Sequence, residues 1–216
     1  RQQYQTGRAY PYRRNRRRRD LTGVMRSVCV FCGASSGHDP AYALAARRFG
    51  EMLARHDIEL VWGAGNVGLM GVLADAVLSH GGRAVGVIPD FMVERELAHT
   101  AASEILIVDS MHARKAAMAE RADAFVALPG GFGTLDELFE ILTWAQLHIH
   151  SKPIGLLNVQ GFFDPLLAMV RHMSREGFIT ARHLALLHED VHADNLLHAM
   201  RRSPPDAGDW CRQKIG

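Results

Sequence analysis

From residue 25 onward, short apolar runs alternate with longer segments whose apolar residues recur at helical spacing. The runs at 28–32, 58–62, 84–88, 105–108, 124–128 and 153–157 predict strands. The segments 40–55, 69–79, 111–121, 135–147, 165–175 and 194–202 predict helices; in the first, Tyr42, Leu44, Phe49, Met52 and Leu53 supply the apolar positions. Strands that are apolar throughout are buried on both faces, which calls for a parallel sheet covered by helices on each side. Right-handed crossovers then give an α/β, Rossmann-like, doubly wound sandwich, which binds ligands at the carboxyl ends of its strands.

Three loops at those ends are rich in glycine: Gly33-Ala34-Ser35-Ser36-Gly37, Gly63-Ala64-Gly65-Asn66-Val67-Gly68 and Pro129-Gly130-Gly131-Phe132-Gly133-Thr134. The third lies between a predicted strand and a predicted helix. Glycines there let backbone N–H groups approach an anion, and the helix N-terminus adds partial positive charge. Glu137 sits one turn inside the helix. A phosphate grip beside an acid points to an enzyme acting on a phosphorylated small molecule. Thr134-x-x-Glu137 also fits a capping box, so the spacing leaves Glu137 open as a cap or a catalyst. The loop holds more glycines than a cap requires, which favours the catalyst.

The second loop matches G-x-G-x-x-G, a weak dinucleotide signal by itself. Its acidic partner, about 20 residues on at the end of the next strand, would be Asp90, which lies beyond Pro89. A tight strand–helix turn is therefore the preferred reading over NAD binding. Met111-His112-Ala113-Arg114-Lys115 opens another helix with two adjacent cations, which is unfavourable against the helix dipole. Such a start invites an anion, either a phosphate or Glu137, unless both charges are simply solvated.

Composition narrows the class. An apolar content of 48% and a mean hydropathy of -0.06 describe a globular body over residues 25–202. No apolar run approaches the ~20 residues that cross a bilayer, and no apolar signal core opens the chain. Residues 1–20 carry eight arginines and one aspartate, a charge of +7, so a chain of +2 leaves -5 for the remainder. Nucleic-acid binding through residues 1–24 is one reading of that run. The preferred one is a disordered basic extension, with Met25 a natural start, because the body shows no basic stripe. Residues 203–216 read as a loose tail. Three cysteines are too few for a disulfide framework and point to a reducing, cytoplasmic setting. Cys29 and Cys32, three apart in a strand, should face opposite sides, which argues against a redox pair. His148 and His150 form the one close pair among twelve histidines, and no zinc spacing appears, so neither metal nor cofactor is expected.

Taken together, these motifs resemble a known family. P-G-G-x-G-T-x-x-E is intact from Pro129 to Glu137, and M-H-x-R-K from Met111 to Lys115. Phe31-Cys32-Gly33-Ala34-Ser35, Thr143-Trp144-Ala145-Gln146-Leu147 and Lys152-Pro153-Ile154-Gly155-Leu156-Leu157-Asn158 match as well. The chain is similar, over about residues 26–200, to the cytokinin riboside 5′-monophosphate phosphoribohydrolases, the "Lonely guy" (LOG) family, long described as possible lysine decarboxylases. One departure is Ala64, where many members have a third glycine.

The resemblance implies hydrolysis of the N-glycosidic bond of a nucleoside 5′-monophosphate to free base and ribose 5-phosphate. It makes Arg114 and Glu137 the catalytic pair and Gly130, Gly131, Gly133 and Thr134 the phosphate cradle, with Lys115 assisting. Phe132 and Asp136 belong to the same motif and count among the substrate contacts. Gly33, Ser35, Gly65, Met111 and Thr143 become further substrate contacts, as does Glu96 within Arg95-Glu96-Leu97. It also implies a homodimer with the active site near the subunit interface. A decarboxylase would need a lysine holding pyridoxal phosphate, and the lysines are only Lys115, Lys152 and Lys214. A non-catalytic nucleotide sensor or carrier using the same loops is the alternative. The choice between a cytokinin base and plain adenine, as in AMP, stays open.

Overall fold

The computed structural model describes residues 25–93 and 99–202. Its elements run β1 (Ser27–Phe31), α1 (Pro40–Arg55), β2 (Glu59–Trp62), α2 (Gly68–Ser79), β3 (Ala84–Pro89), α3 (Asp90–Val93), β4 (Glu104–Val108), α4 (Met111–Arg121) and β5 (Ala124–Ala127). There follow α5 (Phe132–Gln146), β6 (Ile154–Leu157), a 3-10 turn (Val159–Gly161), α6 (Asp164–Arg175), α7 (Ala181–Leu184), β7 (Leu187–Asp190) and α8 (Ala193–Arg202). The seven strands form one parallel sheet in the order β4-β3-β2-β1-β5-β6-β7. The doubly wound Rossmann-like architecture is thus the one the alternating pattern predicts. The basic extension, Glu96 and the C-terminal tail lie outside the described residues.

Period-two alternation divides the central strands between two cores. Val28, Val30, Leu60, Trp62 and Val126 pack with Phe49, Leu53, Leu73, Leu196 and Met200 from α1, α2 and α8. Cys29, Phe31, Val61 and Phe125 pack with Met118, Leu138, Ile141 and Leu167 from α4, α5 and α6. Cys29 and Cys32 consequently fall in different cores, on opposite faces of the sheet. At the amino ends of the strands, Arg83 and Arg121 bridge Glu59 and Glu104, which keeps that charge away from the carboxyl ends. From β1 the chain winds outward to β4 and then returns beside β1 to build β5, β6 and β7. The strand order therefore reverses between β1 and β5, the crevice where doubly wound sheets hold ligands.

Candidate active site

The loops that follow β1 and β5 meet at this reversal. Gly33 donates its N–H to the Pro129 carbonyl at 3.0 Å, and its own carbonyl accepts from Leu69 N–H at 3.0 Å and Met70 N–H at 3.3 Å. Glycine is required where the backbones cross. A Cβ on Gly130 would lie 2.1 Å from Thr134 Oγ1 and 2.8 Å from Gly33 N, and one on Gly68, at φ +58°, would lie 2.3 Å from the Ala34 carbonyl carbon. The second loop thus uses its last glycine for packing. Asp90, the residue that the dinucleotide reading needed, accepts a hydrogen bond at 2.7 Å from the N–H of its neighbour Phe91.

Gly131 and Gly133 are different: among the described residues no atom lies within 4 Å of a Cβ built on either. Both line a cleft of about 520 Å³. Here α5 begins, with Gly131 as its N-cap and no side-chain cap hydrogen bond. The first N–H groups of this helix are therefore available to an anion in the cleft. This start corrects the capping-box reading. Thr134 is the third residue of the helix, buried, with its hydroxyl against Gly130, and Glu137 lies in the second turn, beyond the reach of a cap.

Glu137 instead faces Arg114, with Nη2 3.8 Å from Oε1 and both side chains nearly enclosed. Burial pushes the Glu137 carboxyl up to about 7, an effect only partly offset by the Arg114 charge, and Asp136 raises it further. Arg114 projects from the first turn of α4, whose N-cap Ser110 accepts from Ala113 N–H at 3.1 Å. Its Nη2 donates to the Gly63 carbonyl at 3.4 Å, while Nη1, among the described residues, meets only the sulfurs of Met111 at 3.9 Å and Met92 at 4.0 Å. Nε is buried without a hydrogen-bond partner among the described residues. A Cβ on Gly63 would stand 1.9 Å from Nη2, so the guanidinium lies directly against the backbone there. A buried cation with unused donors beside an ionisable acid suits a ligand that carries negative charge.

The adjacent cations of α4 part company. Lys115 pairs with Asp136 at 3.2 Å and Glu140 at 3.0 Å, fastening α4 to α5. Burial lowers the Lys115 affinity for its proton, but hydrogen bonds to Glu140 and Asp136 outweigh it and the net shift is upward.

Of the residues expected from sequence, Gly33, Ser35, Met111, Arg114, Gly130, Gly131, Gly133, Thr134, Asp136 and Glu137 line the cleft. Lys115, Gly65, Phe132 and Thr143 are not among its lining residues. The Gly65 carbonyl accepts from the Trp62 indole, Phe132 is 94% exposed at the first position of α5, and the Thr143 hydroxyl donates to the Phe139 carbonyl at 2.7 Å. Sequence reasoning missed the apolar wall formed by Tyr42, Leu69, Met70 and Phe162. Tyr42 and Phe162 stack edge to face at 5.8 Å. Phe162 follows β6 at its carboxyl end, so the rule that singled out the glycine loops could have found it; Tyr42 looks like any core position of α1. Cys32 also borders the cleft, but burial, with the Glu137 charge adding, pushes its thiol well up, away from a thiolate nucleophile.

Comparison with known proteins shows the family. The family model described as "possible lysine decarboxylase" matches residues 70–200. A probable cytokinin riboside 5′-monophosphate phosphoribohydrolase of Oryza sativa subsp. japonica is 46% identical over 190 residues, 88% of this chain and 77% of its own. A cytokinin riboside 5′-monophosphate phosphoribohydrolase of Arabidopsis thaliana is 42% identical over 190 residues, 88% of this chain and 89% of its own. The chain belongs to the LOG phosphoribohydrolase family. Fold alone is shared with the molybdenum cofactor binding protein of Rippkaea orientalis, at TM-score 0.63 and 20% identity over 82% of this chain and 96% of that one. The same holds for the molybdenum cofactor carrier protein of Chlamydomonas reinhardtii, at TM-score 0.61, 19% identity and the same coverage. Against the LOG pattern, Ala64 takes a left-handed conformation at φ +66° while fully buried, which explains why a glycine is the easier residue there.

Proposed function

We propose that the protein hydrolyses the N-glycosidic bond of a nucleoside 5′-monophosphate, a cytokinin riboside 5′-monophosphate or AMP, releasing free base and ribose 5-phosphate. One observation carries this reading: the enclosed Glu137–Arg114 pair shares a cleft with the uncapped, glycine-lined start of α5. The phosphate sits on the N–H groups of Gly131 to Thr134, and the ribose extends towards Glu137. As the C1′–N bond breaks, its electron pair leaves with the base, which takes up a proton, and positive charge develops on the ribose ring. Ionised Glu137 stabilises that charge or takes a proton from the water that adds to C1′, and Arg114 orients the carboxylate or the phosphate.

Binding at the phosphate, remote from the bond broken, orients the reacting sugar. AMP and isopentenyladenosine 5′-monophosphate should therefore release base at a kcat/KM at least about 100-fold above adenosine, measured by chromatography. Comparable turnover of adenosine would remove the phosphate from the mechanism. Nucleotide binding without any base release would favour the carrier or sensor alternative.

The open space at Gly133 gives a second expected result. Gly133→Ala should fold as well as wild type, and be up to about 1 kcal/mol more stable by helix propensity, yet raise KM about tenfold by crowding the anion site. A thermal melt and a substrate titration check both halves; an unchanged KM would put the phosphate elsewhere.

A pyridoxal-dependent decarboxylase is disfavoured by the two lysines among the described residues. Schiff-base lysines are held at lowered pKa, whereas Lys115 is shifted the other way between two carboxylates. Lys152 donates to the Ala119 carbonyl at 2.5 Å, at the end of α4, and is not among the residues lining the cleft.

We further propose a cytoplasmic homodimer with residues 25–202 as its hydrolase body. Phe132 and Phe139 of α5 expose apolar side chains, as does Met111 of α4, which also lines the cleft. Sedimentation showing only monomer at micromolar concentration would end that reading. Buried free Cys29 and Cys32 are compatible with a reducing compartment, and among the described residues no helix is long and apolar enough to cross a membrane.

A further inference from the structure

We propose that Trp62 and His99 are positioning residues for Arg114: together they fix the Gly63–Gly65 turn whose first carbonyl holds the guanidinium beside Glu137. The inference rests on the hydrolase reading only for its kinetic consequence; the placement stands on geometry.

Three successive carbonyls of this turn have three different partners. Gly63 accepts from Arg114 Nη2 at 3.4 Å, Ala64 from the backbone N–H of His99 at 3.0 Å, and Gly65 from the indole Nε1–H of Trp62 at 3.1 Å. Trp62 is the last residue of β2 and fully buried, so its side chain closes the turn that its own strand begins. The His99 ring stands edge-on to that indole, 6.2 Å between centroids, and the Asp75 carboxylate accepts from its Nε2 at 3.0 Å. Asp75 lies on α2, the helix that the turn leads into. The turn is thus held from β2, from α2 and from the chain preceding β4.

Such bracing has a reason. Ala64 occupies the left-handed region, a conformation that persists in a non-glycine residue only where its surroundings impose it. Among the described residues Arg114 is otherwise weakly held: Nε has no hydrogen-bond partner, Nη1 touches only sulfur, and Glu137 is 3.8 Å away. Gly63 O is the one oxygen within hydrogen-bond distance of its guanidinium among the described residues. A shift of the turn therefore becomes a shift of the guanidinium relative to Glu137. Arg114 is also the largest influence holding the Glu137 carboxyl down against burial. Glu137 thus reports on the position of Arg114.

The test uses the whole chain carrying Trp62→Phe, which removes one hydrogen bond and keeps an aromatic ring in the core. A second variant, Asp75→Asn, alters a side chain that is 74% exposed and does not endanger the core. The titration of Glu137 is followed without substrate by carboxyl 13C NMR, with Glu137→Gln identifying its resonance. In Trp62→Phe the midpoint should rise by about half a unit or more, with a smaller rise in Asp75→Asn. Base release from AMP should lose about tenfold in kcat with KM within about twofold, since positioning acts on the chemical step. Melting temperature is measured alongside. A lowered melting temperature with an unmoved Glu137 midpoint would overturn the proposal and leave Trp62 a core residue only. The NMR midpoint decides this even if wild type releases no base, an outcome that would count against the hydrolase reading alone.

Discussion

Glu137→Gln is expected to lose base release from AMP and from isopentenyladenosine 5′-monophosphate by about 10³-fold in kcat, while nucleotide affinity stays within about threefold. Glutamine keeps the shape of the side chain and loses the charge. It can neither stabilise a developing oxocarbenium ion nor take a proton from water, but it leaves the start of α5 untouched. The pH profile gives the sign independently. In the proposed mechanism Glu137 acts ionised, and burial pushes its carboxyl up to about 7, so kcat/KM of wild type should fall tenfold per pH unit below that value. Equilibrium dialysis with AMP and a rate profile from pH 5 to about 9 measure both. A variant retaining a tenth of wild-type turnover would remove Glu137 from the chemistry.

The same carboxyl should set the pH dependence of stability. Its folded pKa of about 7 lies above the ordinary value of 4.5. Between those values the folded chain holds a proton that the unfolded chain has released, so stability falls as pH rises through the window. Below 4.5 both states hold the proton and nothing is lost; above 7 the full cost applies, about 3 kcal/mol. Glu137→Gln carries no such cost. In urea unfolding it should exceed wild type by about 3 kcal/mol at pH 8 and match it near pH 4. Equal stabilities at both pH values would mean that the carboxylate is better solvated than its enclosure implies. One substitution that removes activity and adds stability is the pattern expected where function keeps a strained charge in place.

Secondary structure was legible because the central strands are apolar on both faces. Nothing but a doubly covered parallel sheet accommodates 28–32, 58–62 and 124–128 together. The strand that escaped, β7, reads Leu187-His188-Glu189-Asp190. It lies at the sheet edge beside β6 alone, and none of its four residues is fully buried, so it carries no apolar run to read. Likewise α7 is a single turn, stabilised by a Thr180–His183 capping box and too short to show periodicity.

At the cleft, sequence located the loops and singled out Glu137 and Arg114, which meet there, because glycine clusters at strand ends and charged pairs at helix starts are local patterns. The division of labour inside those patterns was not local. Gly130 and Gly131 are neighbours of identical chemistry, yet Thr134 and Gly33 crowd the first while the second faces open space. Arg114 and Lys115 are also neighbours, but successive side chains on a helix diverge by about 100°, which sends one to Glu137 and the other to Asp136 and Glu140. Thr134 and Glu137 have the spacing of a cap, and only the start of α5 at Phe132 removes them from that role. The amino-acid order alone thus determined the layers, the crevice and the residue types within it, since these follow from periodicity and short-range backbone preference. Only the tertiary structure decided which glycine leaves room for a ligand, which cation meets the acid and how far burial raises that acid, because each depends on atoms brought close from distant parts of the chain.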